Sequence, residues 1–346
     1  MLNNKLLKCG ESVFREIISN FIDFDKKWCF FAINNVCNSR CETCSIWKEK
    51  PKIVGLEDAK KVLNKLYENN FKILQLTGGE PLINPDFFEI VKYAKKLNFF
   101  VFAPTNGTLI NEKVANKLKE SRIDQISVSL HHYKPKIFEK ISGHKNILKK
   151  VTNAIKILEK KKLPVSVLCT ISKSNINDIE DIVEFIDKFD VTVSFCMPVT
   201  IKDTSFHLGN NGESVIIGKD EMKNALLRII KLKKQGYNII NSLEYLRDTI
   251  RYLDKENRYD CFGGTKLFYI DWNLNVYPCM CKGKPVNIDK YNFNNSNYKE
   301  CNKCMIQCFR EPSTLLSNQI EASKIFIKEF PFLLLMCMER VKTLLK

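Results

Sequence analysis

The feature that most constrains the fold is an alternation of short apolar runs with longer amphipathic stretches. The apolar runs are rich in β-branched and aromatic residues, which is typical of parallel strands buried on both faces. The stretches between them space apolar residues three and four apart, as helices with one buried face do. Six runs lie at 28–36, 72–78, 99–104, 125–130, 165–171 and 191–197. They predict an α/β fold, a partial (β/α)6 TIM-like barrel, because a closed eight-unit barrel needs more units.

The rest of the chain differs from this region in composition. Its cysteine-rich segment has little apolar periodicity and is expected to fold around metal, as a small extension of the barrel. The C-terminal segment has an apolar middle flanked by lysines, so it either packs on the barrel as an amphipathic helix or lies on a membrane surface. We therefore predict an N-terminal helical segment (1–27), the barrel (28–200), a linker with helices (201–260), the cysteine-rich domain (261–312) and a C-terminal amphipathic helix (313–346).

The formal net charge of +16 raises the question of a polyanionic partner. The lysines are spread over most predicted helices, which favours a solvated surface and argues against nucleic acid. A zinc-dependent nucleic-acid binder stays as a rival that predicts zinc and salt-sensitive binding. The sequence has no apolar run of spanning length and no signal-peptide cleavage site. We expect a cytoplasmic protein, with peripheral membrane contact only through the C-terminal helix.

Fourteen cysteines are too many for a cytosolic chain without metal or redox chemistry. They form one group at 37–44 and a second group at 261–308. The isolated ones are expected to be small buried hydrophobes: Cys9, Cys29, Cys169, Cys196 and Cys337.

The first group, Cys37, Cys41 and Cys44, directly follows the first predicted strand. Three thiolates at this spacing can hold one cubane cluster from a single loop and leave its fourth iron without a protein ligand. That iron can bind a small molecule through amino and carboxylate groups. A structural zinc ion would need a fourth ligand, and the loop offers no further Cys or His.

This Cx3Cx2C motif resembles the signature of the radical S-adenosylmethionine (SAM) superfamily. Thr77-Gly78-Gly79-Glu80-Pro81, at the end of the second strand, is similar to that family's GGEP segment. The resemblance implies a [4Fe–4S] cluster with SAM at the open iron. Paired glycines let the backbone approach a ligand, and Glu80 offers an acceptor for the SAM ammonium group.

Two later strand ends agree with the resemblance. Thr105-Asn106-Gly107 resembles the family's TNG turn, and Ser127 and Ser129 lie on a strand that is similar to the one that reaches SAM. The chain also departs from the family. Thr43 stands where many relatives have an aromatic residue, for which Trp47 is a candidate substitute. His131-His132 replaces the usual Asp-Gly, and His131 is a candidate hydrogen-bonding partner of SAM or substrate.

The second group surrounds two apolar runs that predict a hairpin about Asp271–Asn275. It resembles the twitch or SPASM auxiliary-cluster domains of radical SAM enzymes. The resemblance implies one further [4Fe–4S] cluster, held by Cys261 and Cys279 with two of Cys301, Cys304 and Cys308; Cys281 is left out of this set. A zinc ribbon is the alternative.

The resemblance implies an anaerobic radical SAM enzyme of oxidoreductase or transferase type. Reductive cleavage of SAM would give a 5′-deoxyadenosyl radical that abstracts hydrogen from substrate, with flavodoxin or ferredoxin as reductant. The auxiliary cluster would transfer electrons or anchor the substrate. The short segment before the first strand favours a small metabolite, sugar or lipid over a ribosomal peptide. Alternatives are a peptide maturase of the same superfamily and a non-catalytic iron–sulfur electron carrier.

Overall fold

The computed structural model describes residues 27–198, 215–281, 283–294, 301–302 and 304–317. The predicted N-terminal helical segment, up to residue 26, lies outside these ranges. So do most of the polar loop predicted at 200–220 and the C-terminal helix from residue 318 onward. No helix within the described ranges is both long enough and apolar enough to cross a bilayer.

Six parallel strands form the predicted open sheet, each within one of the six apolar runs or one residue beyond it. They are β1 (Lys27–Ala32), β2 (Phe71–Thr77), β3 (Phe100–Thr105), β4 (Gln125–Ser129), β5 (Val165–Thr170) and β6 (Thr192–Cys196). They lie side by side in chain order, and every neighbouring pair is parallel. The α/β class and the unclosed barrel are confirmed.

Helices between the strands pack on the outer face of the sheet and bury one apolar side each. They are α1 (Leu56–Glu68), α2 (Phe87–Lys96), α3 (Glu112–Ser121), α4 (Pro135–Ser142), α5 (Ile147–Lys160) and α6 (Ile179–Ile186). In α1 the apolar residues at three- and four-residue spacing, Ala59, Val62, Leu63 and Leu66, are all buried, as predicted. Helix α4 is additional to the predicted series.

The two faces of the sheet differ in side-chain chemistry. Val128 faces the helices, because a side chain at Gly107 would touch Val128, Val151 and Ala154 together. The alternate residues, such as Ser127 and Ser129, are half-buried and form what we call the inner face. Beyond β6 come α7 (Lys219–Lys234) and α8 (Leu243–Leu253), close to their predicted positions.

A hairpin in the cysteine-rich segment extends the same sheet. Strands β7 (Leu267–Ile270) and β8 (Asn275–Tyr277) are antiparallel, as predicted, and β9 (Val286–Asn287) follows. The left-handed residue of the turn is Leu274 at φ 62°, one position before the Asn275 named from the sequence. Asp271 fixes this turn by accepting from the backbone N–H groups of Asn273 and Asn275 at 2.8 and 2.9 Å.

The hairpin joins the barrel through β7, which pairs in parallel with β1 and gives a nine-stranded sheet. Phe268, Tyr269 and Ile270 are fully buried. This differs from the expectation of a segment that folds around metal alone. An apolar strand of four residues buries both faces only by joining a sheet, which its own short sequence does not specify.

Helix α9 (Gln307–Leu316) lies across the inner face between β1 and β6. Its Phe309 stacks on Phe30 of β1 with ring centroids 4.9 Å apart. At the other side, the Cys196 thiol of β6 approaches the Gln307 side-chain oxygen at 3.6 Å. The helix runs through Pro312, where the sequence suggested a domain boundary, so one element bridges the two predicted domains.

Candidate functional site

The first cysteine group forms a loop at the carboxyl end of β1. Cys37, Cys41 and Cys44 are all half-buried. Burial, together with the charges of Glu80 and of the neighbouring Cys44, raises the pKa of Cys37 to about 11. Burial, Cys44 and Cys37 likewise raise the pKa of Cys41. The three thiols are therefore close enough to repel one another as thiolates, and bound iron would remove that cost.

The two glycines of the GGEP segment press the end of β2 against this loop. A Cβ on Gly78 would lie 2.0 Å from the Asn34 carbonyl oxygen, and one on Gly79 would lie 2.2 Å from that of Val36. Gly79 N–H donates to Asn34 O at 3.1 Å and Glu80 N–H to Val36 O at 2.8 Å. The glycines thus permit close approach of protein backbone, where the sequence suggested close approach of a ligand.

Helix α4 holds the other side of the loop. The N–H groups of Arg40 and Glu42 donate to the carbonyls of Ser142 and Ile141, both at 2.9 Å. Gly143 has φ 61°, and a Cβ there would lie 2.7 Å from that of Arg40. Gly143, the residue directly after α4, is therefore a contact point of the cysteine loop.

Glu80, Thr105 and Asn106 lie together beside the loop. The buried Glu80 carboxylate accepts from Thr105 Oγ1 and Asn106 N–H, each at 2.7 Å. Burial raises the pKa of Glu80 to about 7. Asn106 Nδ2 in turn donates to Asn38 Oδ1 at 2.7 Å, within the cysteine loop. A buried carboxylate held by neutral donors is suited to receive a cationic group such as an ammonium.

The remaining predicted cofactor-binding residues lie on β4 or directly after it. Ser127 and Ser129 are on the inner face, and the Ser127 and Ser166 hydroxyl oxygens are 3.0 Å apart. His131 is buried, and its Nδ1 accepts from Thr170 N–H at 3.1 Å. Burial lowers the pKa of His131 to about 4, so the ring is neutral at neutral pH. This bond gives His131 a role in joining β4 to β5; contact with SAM stays a prediction.

Two residues inside the cysteine loop have partners that the sequence did not indicate. The Trp47 indole N–H donates to the Cys44 carbonyl at 2.9 Å, which fixes the ring against its own loop. The buried Glu42 carboxylate accepts from Ser174 Oγ at 2.8 Å and so connects the loop to the segment after β5. The aromatic role of Trp47 beside Thr43 stays a prediction.

The second cysteine group is assembled from both ends of the hairpin and the segment before α9. Cys261 and Cys301 form an antiparallel bridge, with Cys261 N–H donating to Cys301 O at 2.9 Å. Cys281 N–H lies 3.1 Å from Cys279 Sγ, so Cys281 sits beside the predicted ligands. Burial is the largest cause of the raised pKa of both Cys304 and Cys308. Charges on Cys279 and Cys301 also raise the pKa of Cys304, and charges on Cys304 and Cys279 also raise that of Cys308.

No disulfide joins any of the twelve described cysteines. Within the described ranges, no three His, Cys, Asp or Glu side chains converge as ligands of a single metal ion. An iron–sulfur cluster places its cysteine ligands on separate iron atoms and holds them further apart than one tetrahedral zinc does. The mutually repelling thiols of both groups fit such a cluster in their donor chemistry.

Comparisons with known proteins agree with this site. Residues 32–186 match the Radical SAM superfamily. The AdoMet-dependent heme synthase of Methanosarcina barkeri is 25% identical over 70% of this chain and 73% of its own length. A probable GTP 3′,8-cyclase of Thermococcus kodakarensis is 30% identical over 45% of this chain and 52% of its own length. The match therefore spans about half the length of that cyclase.

Solved structures show the same fold. SuiB of Streptococcus suis bound to S-adenosylmethionine has a TM-score of 0.64 at 14% identity, covering 78% of this chain and 65% of that one. The enzyme anSMEcpe with bound AdoMet has a TM-score of 0.58 at 17% identity, covering 79% and 81%. With the cysteine loop at the end of β1, the conclusion is that residues 32–186 of this chain are a radical SAM domain.

Proposed function

We propose that this chain is a radical SAM enzyme that abstracts hydrogen from a polar small molecule. The observation that carries the proposal is the cysteine loop, clamped between the end of β2 and the end of α4. Support also comes from Cys37, whose pKa is raised in part by the charge of the Glu80 carboxylate. Cys37, Cys41 and Cys44 would bind the [4Fe–4S] cluster, and its open iron would bind SAM.

The chain's own residues bind and orient the cofactor. Glu80 would accept hydrogen bonds from the SAM ammonium group. Thr105 and Asn106 orient the Glu80 carboxylate through two hydrogen bonds of 2.7 Å each. Gly78, Gly79, Ser127, Ser129 and His131 would complete the SAM-binding surface. When bound, the reduced cluster and SAM supply the 5′-deoxyadenosyl radical that abstracts hydrogen. The protein orients substrate and excludes water from it.

The second cysteine group would hold an auxiliary [4Fe–4S] cluster. Cys261, Cys279 and two of Cys301, Cys304 and Cys308 are the proposed ligands. Support comes from the backbone β-bridge between Cys261 and Cys301. It also comes from the charges of Cys279 and Cys304, which raise the pKa of Cys308. Because α9 begins in this group and ends over the inner face, the cluster would lie within reach of a substrate there. It would transfer electrons or anchor that substrate, and flavodoxin or ferredoxin would reduce the first cluster.

The substrate class follows from the inner face. Its polar side chains, including Gln125, Ser127 and Ser166, favour a sugar-like or other hydrophilic metabolite over a lipid. A peptide maturase is the second candidate, because SuiB has been crystallised with its precursor peptide. At 14% identity this similarity supports only a shared fold, so we prefer a small metabolite as the substrate.

The test is reconstitution without oxygen, followed by counting iron and sulfide and assaying 5′-deoxyadenosine after addition of dithionite and SAM. We expect about eight irons per chain, for two cubane clusters, and slow release of 5′-deoxyadenosine. Changing Cys37, Cys41 or Cys44 to Ala should abolish cleavage and remove about four irons. Cys29→Ala, a buried cysteine of β1, is the matched control and should keep both.

Other outcomes separate the parts of the proposal. About four irons with intact cleavage would retain the radical enzyme and reject the auxiliary cluster. Bound zinc with no SAM cleavage would reject the proposed function.

A further inference from the structure

The solvent-facing side of the cysteine loop carries an excess of positive charge. Across residues 38–53, a stretch that the structure describes in full, the exposed charged side chains are one carboxylate, Glu49, and four cations: Arg40, Lys48, Lys50 and Lys52. We call these four the loop cations. None of them forms an ion pair with a carboxylate of the described part of the chain, whereas Lys92 of α2 pairs with Glu89 at 2.7 Å. Cations without counter-ions attract an anionic partner.

Trp47 holds two of the loop cations together. The Arg40 guanidinium carbon lies 5.0 Å from the centroid of the Trp47 ring, and the Lys48 ammonium nitrogen lies 5.5 Å from it. A cation over an indole ring is attracted by the electrons of the ring. The Arg40 guanidinium also donates to the carbonyl oxygens of Cys37 and Ser39 at 3.2 and 3.4 Å. Two positive charges are therefore fixed against the cysteine loop itself.

The segment that carries the other two loop cations is bonded to the base of the same loop. Asn35 Nδ2 donates to the Lys50 carbonyl at 2.7 Å, and Lys52 N–H donates to Asn35 Oδ1 at 2.6 Å. The Lys52 ammonium has only a neutral partner, Asn273 Oδ1, at 3.0 Å among the described residues. Ile53 follows directly and is 41% exposed, which is unusual for so large an apolar side chain. Charge together with an exposed aliphatic residue and an indole is typical of a protein interface.

Trp47 also connects this surface to a proposed cluster ligand. Its indole N–H donates to the Cys44 carbonyl at 2.9 Å, and its ring is only half-buried. Between that carbonyl and the Cys44 sulfur lie only the covalent bonds of Cys44 itself. The loop cations therefore mark the place where a partner in solution can come close to the ligands of the first cluster.

We propose that the loop cations, with Trp47 and Ile53, are the docking surface for an acidic electron-donor protein. Carboxylates of the partner pair with the loop cations, and such complementary charges mainly raise the rate of association. On docking, the partner loses one electron and the cluster bound by the cysteine loop gains it; no bond forms or breaks. The inference rests on the proposed function, because the cluster proposed there is the electron acceptor.

The probe is flavodoxin, a small acidic protein that donates single electrons. The test variant is Lys48→Glu with Lys50→Glu. The matched control, Lys96→Glu with Lys119→Glu, has the same net charge and changes exposed lysines in the last turns of α2 and α3, away from the loop. Calorimetry at low salt should show oxidised flavodoxin binding the test variant about tenfold more weakly than wild type, and the control within twofold. Sodium chloride should weaken binding to wild type more steeply than to the test variant.

Stopped-flow reduction of the reconstituted protein by flavodoxin hydroquinone gives a second readout. Its second-order rate constant should fall about tenfold in the test variant and less than twofold in the control. Equal losses in the two variants would overturn the inference, because net charge alone would then explain them. Tighter binding of a short DNA duplex than of flavodoxin, lost in the test variant, would overturn it in favour of a nucleic acid.

If the test variant does not fold, Lys50→Gln provides a milder one. It removes a single exposed charge and should weaken flavodoxin binding about threefold. Unchanged binding in that variant would contradict the inference. Formation of 5′-deoxyadenosine by the wild-type protein with dithionite tests the proposed function separately, since it needs no protein partner.

Discussion

At the scale of single residues, the glycines beside the cysteine loop show how a motif serves both the fold and the site. Gly78 and Gly79 allow the backbone at the end of β2 to contact residues 34–36, from which the loop departs. The sequence identified them through the GGEP resemblance. It did not indicate that their nearest neighbour is backbone, because that contact depends on how β1 and β2 end relative to each other.

Gly79→Ala should therefore displace the cysteine loop. The new Cβ would lie 2.2 Å from Val36 O, a contact with backbone that only a shift of the chain relieves. We expect a loss of about 3 kcal/mol in the free energy of unfolding and reduced iron binding after reconstitution. Gly55→Ala is the control, because no atom lies within 4 Å of its added Cβ. Equal iron content in the two variants would show that the loop tolerates the shift.

His131 should make stability depend on pH. Burial lowers its pKa from 6.5 to about 4 in the folded state, so the unfolded chain binds the proton more readily. Stability contributed by the neutral ring is complete above pH 6.5 and is lost as pH falls towards 4, by about 3 kcal/mol. His131→Asn, which keeps an acceptor for Thr170 N–H, should flatten this part of the profile. Denaturant unfolding between pH 7 and pH 5 measures it, and His144→Asn, at a half-buried residue after α4, should retain the wild-type fall.

At the scale of elements, the parallel strands were predictable because strands covered on both faces read as uninterrupted apolar runs. The helix pattern of α1 was equally clear. Helix α4 was missed because it is short and begins at Pro135, and a proline there is also typical of a loop. The pairing of β7 with β1 could not be inferred either, because a hairpin has the same local sequence whether it stands alone or joins a sheet.

The attachment of α9 depends on a buried ion pair. Arg310 donates to Asp248 of α8 at 2.7 Å, and the two side chains are 3% and 1% exposed. Asp248→Asn would leave the Arg310 charge buried without a counter-ion, so we expect a loss of about 3–5 kcal/mol in unfolding free energy. Glu57→Gln breaks the exposed pair with Lys60 and should leave the denaturation midpoint unchanged. A small effect at Asp248 would mean that water reaches Arg310.

At the scale of the whole molecule, both cysteine groups belong to one sheet. The first follows β1, and the second surrounds β7 and β8, which continue the sheet past β1. The sequence separated them into two domains, a division that stays a prediction. The two groups are far apart in the sequence, but β1 and β7, the strands next to them, are neighbours in the sheet. The two proposed clusters are thus fixed to adjacent strands, and the distance between them should be rigid.

Removing the second cluster should leave the first intact. In Cys261→Ala we expect about four of about eight irons to remain, while dithionite-dependent formation of 5′-deoxyadenosine without substrate continues. Product formation from substrate should stop, since the auxiliary cluster would transfer electrons or anchor the substrate. Cys169→Ala, at a buried cysteine of β5, is the control for iron content. Loss of all iron in Cys261→Ala would contradict independent binding.

The parallel pairing of β1 with β7 has a consequence for synthesis of the chain. Strand β1 begins at residue 27, and its partner β7 is synthesised some 240 residues later. Until β7 has been made, one edge of β1 has no partner strand. Open apolar edges template aggregation, and distant pairings form slowly. Folding of the nascent chain should therefore complete from β2 towards β6 first, and ribosome-bound chains that stop before residue 267 should depend most strongly on chaperones.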